Sequence, residues 1–117
     1  MQRPNNGRGA VLGKIAPTFN RYTEEVLMQD LWERPGLSQR DRSLCVITAL
    51  IALHRPDQMI NHMRTGLDNG LTRKEIAEVI THLAFYTSFP NASVAARKFA
   101  ELSAALDAAD KTAEPEE

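Results

Sequence analysis

The chain has one cysteine, Cys45, which excludes an intrachain disulfide, a CxxC redox pair and a cysteine-built metal site. It has no apolar run of the roughly 18 residues that a membrane-spanning helix needs. Glycine is scarce, with six residues, and neither GxGxxG nor GxxxxGK occurs, so no phosphate-cradling loop is expected. No G-x-S-x-G turn supports a serine nucleophile. Four Phe, two Tyr and one Trp are too few and too scattered for a base-stacking platform. Neither sign of charge dominates: Lys+Arg 14 against Asp+Glu 15 leave a formal charge of −1. That balance argues against nucleic-acid binding, which needs several phosphates neutralised at once. Residues 1–10 lack an apolar stretch, so no secretory signal is expected and a cytoplasmic protein is.

What remains is an ordinary globular composition, 43% hydrophobic and 25% charged over 117 residues, enough for one core. Charge is uneven at the ends. Arg3, Arg8 and Lys14 face no acid within residues 1–14, whereas Lys111 stands against five acids in residues 107–117. The reading is a flexible N-terminal arm over 1–14, a single helical domain over 15–110 and an acidic tail over 111–117. An arm draped over a partner subunit is the alternative for the first segment.

Between the ends the apolar spacing is helical. Ile15, Phe19, Tyr22, Val26 and Leu27 predict a first helix that stops before Pro35-Gly36. Leu44 to Leu53 forms an almost wholly apolar second run. A buried strand is conceivable there, but the length and the flanking Ser38 and Asp41 favour a helix covered on most sides, by other helices or by a subunit interface. Arg55-Pro56 breaks it. A third helix carries Met59, Met63, Gly66 and Leu67 and ends at Asn69-Gly70. Thr72 and Glu75 form a capping box for a fourth, with Leu71 stapled against Ile76. Ser88-Phe89-Pro90 ends that helix, and an alanine-rich fifth follows. Five helices and no sheet are expected.

Of the three histidines, none has metal-ligand spacing. His62 lies on the stripe of Met59 and Gly66, where an imidazole either serves as a hydrogen-bonded structural group or moves protons, its ordinary titration lying near neutrality. His54 suits a helix C-terminus and its dipole. Arg34, Arg40 and Arg42 cluster around the first connection. A guanidinium is a rigid fork that matches a carboxylate, so these three are candidates for an anionic ligand or for surface ion pairs.

Trp32 to Leu37, Arg40 to Leu44, Asn61 to Arg64, Asn69 to Ile76 and Tyr86 to Pro90, taken in order, resemble the carboxymuconolactone decarboxylase family over roughly residues 15–106. The resemblance implies an all-α fold, a five-to-six-helix orthogonal bundle of the alkylhydroperoxidase D type, assembled into trimers or hexamers. The peroxidase branch of that superfamily uses a CxxC pair and an upstream acid. Matching its histidine to His62 puts Arg55 and Gln58 in the cysteine positions and Ser43 near the acid, which implies no thiol peroxidase relay. The decarboxylase branch keeps the histidine alone. It implies a lyase without cofactor or metal acting on a small anionic lactone, with His62 as general acid and Arg34, Arg40, Arg42 and Tyr86 binding substrate. A same-fold oligomer handling another small organic acid, or a non-enzymatic stress-associated assembly, is the alternative. The chain departs from the family's Tyr-x-Gly-x-Pro turn at Ser88 and Phe89, and has Asn91 where alanine is more usual.

Overall fold

Two prolines set helix boundaries in this chain, whose residues 8–113 are described by a computed structural model, with side chains for 9–111. Ala16 and Arg55, each just ahead of a proline, have φ/ψ of −139°/72° and −116°/71°. The proline ring disfavours the helical region for the residue before it, and at these two positions the chain leaves it. Pro17 and Pro56 then open new helices at a position whose N–H would lack an intrahelical partner anyway.

Every element among the described residues is helical: α1 (Arg8–Ile15), α2 (Pro17–Tyr22), a π-helical stretch (Thr23–Met28), a 3₁₀ turn (Leu31–Glu33), α3 (Gln39–Ala52), α4 (Pro56–Asp68), α5 (Arg73–Ala84) and α6 (Phe89–Ala113). The all-α class is therefore established. Within the span read as one helical domain the chain divides into two compact units, Met1–Arg42 and Ser43–Glu117.

In the first unit, the single helix expected from Ile15 onward is replaced by a series of short pieces. Ala16 interrupts it, and beyond Tyr22 the ladder widens, Gln29 N–H reaching the Glu24 carbonyl at 3.0 Å. Thr23 Oγ1 donates to the Phe19 carbonyl at 3.1 Å, a side-chain bond that competes with the regular ladder where the π-helical stretch begins. Of the expected flexible arm, residues 1–7 lie outside the described residues, and Arg8–Lys14 are helical.

The second unit has a continuous core. Ile47 and Ile51 of α3, Met59 and Met63 of α4, Leu71, Ile76, Ile80 and Leu83 from α5 and its approach, and Ala92, Ala95 and Leu102 of α6 form one buried cluster. The Thr72 hydroxyl accepts from Glu75 N–H at 3.1 Å while the Glu75 carboxylate accepts from Thr72 N–H at 3.0 Å, the expected capping box. Helix α4 ends as Asn69-Gly70 foretold. Gly70 takes φ 111°, Leu71 N–H bonds the Gly66 carbonyl at 2.9 Å, and Gly70 N–H bonds Leu67 at 3.2 Å. This is a Schellman motif, and it folds Leu71 back over Gly66. A Cβ on Gly66 would come within 2.9 Å of Leu71 Cδ1 and 3.0 Å of Ile47 Cδ1. Helix α6 reaches Ala113, farther than its apolar stripe required, because Ala104, Ala105, Ala108 and Ala109 are strong helix formers. Of the expected acidic tail, 114–117 lie outside the described residues.

Candidate active site

His62 is carried by α4, directly before the buried Met63 and three residues after the buried Met59. Two core anchors on one stripe fix the helix rotation and leave the imidazole half-buried at the margin of the core. His54 and His82 are exposed. Among the described residues, no group of three or more His, Cys, Asp or Glu side chains is arranged to hold a metal ion.

The three candidate arginines belong to the first unit and differ in their engagements. Arg34 closes the 3₁₀ turn with φ/ψ of −69°/140°. Its side chain is exposed and makes no hydrogen bond or ion pair among the described residues. Arg40 lies 3.4 Å from the Asp41 carboxylate. Arg42 Nη2 donates to the Arg34 carbonyl at 3.1 Å, and its Nε is buried without a hydrogen-bond partner. Gln39 Nε2 donates to the Trp32 carbonyl at 3.5 Å and to Glu33 Oε1 at 3.3 Å.

Tyr86 follows α5 in the second unit. The residue is 75% exposed, and its ring centroid lies 4.8 Å from that of His82, the rings tilted by 39°. Phe89 is exposed too, and meets Phe85 edge to face at 5.4 Å. The bulk at Phe89 therefore sits on the surface rather than filling a closed cavity.

Residues 17–102 match the carboxymuconolactone decarboxylase family. The chain belongs to that family. It is 39% identical over 83 residues, 71% of its length and 61% of the relative's, to a 4-carboxymuconolactone decarboxylase of Acinetobacter baylyi. It is 31% identical over 80 residues, 65% of its length and 56% of the relative's, to a nitrosuccinic acid decarboxylase of Metarhizium robertsii. The chain thus spans about three fifths of the length of these two curated relatives.

Three polar residues of this carboxymuconolactone decarboxylase family member have roles that sequence reasoning did not assign. Ser43, at the position matched to the peroxidase acid, is 1% exposed and accepts from Asn69 Nδ2 at 2.8 Å. It thereby ties the start of the core segment of α3 to the end of α4. Ser88 caps α6 by accepting from Asn91 N–H at 3.1 Å. Asn91 Nδ2 in turn donates to the Ile51 carbonyl at 3.0 Å and the Ala52 carbonyl at 3.4 Å, adding a side-chain donor to the carbonyls at the end of α3. The cap was open to detection, since serine directly ahead of a helical pattern is a preferred N-cap. The other three bonds join residues 26, 40 and 39 positions apart and leave no local signature.

Proposed function

We propose that the chain is a cofactor-free carboxy-lyase of the cytoplasm that decarboxylates a small anionic lactone, 4-carboxymuconolactone or a close analogue. The family match over residues 17–102, with 39% identity to a relative of that name, is the observation that carries this reading. Its chemistry needs nothing beyond the side chains present. The bond to the departing carboxylate breaks, CO₂ leaves, and the electron pair delocalises into the lactone carbonyl before a proton is returned to carbon. His62 is the donor of that proton, and Tyr86 contacts substrate. Arg34, Arg40 and Arg42 are the cations from which the carboxylate ligands are drawn. A positioned general acid contributes about 10²–10⁴-fold, so electrostatic placement and exclusion of water supply the rest.

The protein acts as a homo-oligomer, a trimer or hexamer. In support, Leu53, Phe85, Tyr86 and Phe89 are all more than 60% exposed, an amount of bare apolar and aromatic surface that a small monomer seldom carries.

A second substrate class is favoured by the nitrosuccinic acid decarboxylase relative. A nitro group, like a lactone carbonyl, accepts the electron pair that CO₂ leaves behind, so an open-chain nitro acid suits the same residues. The test is to incubate the protein with freshly generated 4-carboxymuconolactone and, separately, with nitrosuccinate, without added metal, and to follow CO₂ release. Faster release from the lactone supports the first assignment and faster release from the nitro acid the second. Release from neither beyond the background rate contradicts both.

A further inference from the structure

We infer that Arg42 is a positioning residue: it grips the Arg34 carbonyl, so that of the three arginines Arg34 is the one presenting its guanidinium to a substrate carboxylate. This rests on the reading of the preceding subsection that arginines hold the anion, and it separates three residues which that reading treats alike.

The peptide at Arg34 is held on both sides. Its N–H is held by the Leu31 carbonyl at 3.3 Å. Its carbonyl belongs to an extended residue ahead of Pro35 and lies outside any helical ladder. The carbonyl therefore depends on a donor from elsewhere, and Arg42 Nη2 supplies it at 3.1 Å. Gln39, three residues earlier in α3, grips the adjoining turn through the Trp32 carbonyl and Glu33. The first turns of a regular helix thus clamp the backbone on which Arg34 stands, while the Arg34 side chain is exposed and uncommitted among the described residues.

Arg42 itself is poorly placed for the carboxylate. The side-on edge of a guanidinium, formed by Nε and Nη2, is one of the two edges that take a carboxylate with two parallel bonds. In Arg42 that edge is closed: Nε is covered by protein and Nη2 is donating to Arg34. Arg40 is drawn toward Asp41 at 3.4 Å. Of the three, Arg34 is the one whose side chain is exposed and makes no hydrogen bond or ion pair among the described residues, on a backbone held from both sides. A fixed backbone matters because ordering a long side chain and its loop during binding weakens the complex.

Amide exchange and steady-state kinetics on the full chain test this, using R34M, R42M, R42K and the double variant R34M/R42M. Exchange does not depend on turnover. It is expected to quicken at least fivefold at the amides of residues 33 and 34 in R42M, and to stay within twofold of the parent in R34M and R42K, since lysine still offers one donor to the carbonyl. With 4-carboxymuconolactone, R42M is expected to raise KM about fivefold with little change in kcat. In the R34M background the same change is expected to alter KM less than twofold, because two residues acting through one contact are not additive. Unchanged exchange in R42M, or KM effects that multiply in the double variant, would overturn the assignment; the latter would make Arg42 a direct ligand. Variants that exchange as described, while the parent protein releases no CO₂, retain the clamp and refute the decarboxylase reading, and with it the ligand role of Arg34.

Discussion

Two helix ends in the second unit use the same hydrogen bonds with different residues at the critical position. At the end of α4 the left-handed residue is Gly70, and Asn69-Gly70 announced it. At the end of α3, Arg55 N–H bonds the Leu50 carbonyl at 2.8 Å and His54 N–H bonds Ile51 at 3.2 Å, again a Schellman arrangement, but the left-handed position is His54, at φ 55°. The dipole suits a histidine at this helix end but does not announce its left-handed backbone, where the Cβ is crowded against the following carbonyl at a cost of about 1–2 kcal/mol. Replacing it with glycine removes the crowding and returns part of the gain as unfolded-chain entropy. His54→Gly is therefore expected to stabilise the protein by about 0.5–1 kcal/mol in urea or thermal unfolding. A loss of stability would mean that the imidazole makes a contact worth more than the strain. His62 presents the opposite case. Its place on the Met59–Gly66 stripe was legible from helical spacing, and the half-buried ring agrees with it, whereas its chemical role rests on the family.

Legibility of the elements follows how local their causes are. The Pro56 boundary, the capping box of α5 and the end of α4 are written within a few neighbouring residues, and all were readable. The break at Ala16 had the same proline signal but was masked by an apolar spacing that runs on across it. The π-helical stretch after Tyr22 had no readable signal, since it depends on which carbonyl each N–H finally reaches. The apolar α3 presents Ile47 and Ile51 to the core of the second unit but leaves Cys45, Ala49 and Ala52 exposed. Its C-terminal carbonyls are held by Asn91 from the first turn of α6. Asn91→Ala removes that donor and is expected to cost about 1 kcal/mol, the net worth of a typical hydrogen bond. Equilibrium denaturation measures it, and faster amide exchange near residues 53–55 is expected alongside. Unchanged stability would show that water replaces the side chain at no cost.

For the molecule as a whole, the family and the all-α class were both accessible to sequence reasoning, the first from an ordered series of short motifs and the second from periodicity. The division into two units was not, because nothing in composition changes at Arg42–Ser43. The exposed aromatic side chains after α5 bear on assembly. Light scattering coupled to size-exclusion chromatography is expected to give three or six times the chain mass of 13.1 kDa, and Phe85→Asp with Phe89→Asp is expected to reduce it. A monomer at micromolar concentration would contradict the oligomer. The most direct measurement of the central claim compares His62→Ala with the parent protein, turning over 4-carboxymuconolactone at matched oligomer size. The account predicts at least a tenfold fall in turnover, the low end of the roughly 10²–10⁴-fold range for general acids after allowing for solvent as a substitute donor. Turnover equal to that of the parent would contradict it and remove the imidazole from the chemistry.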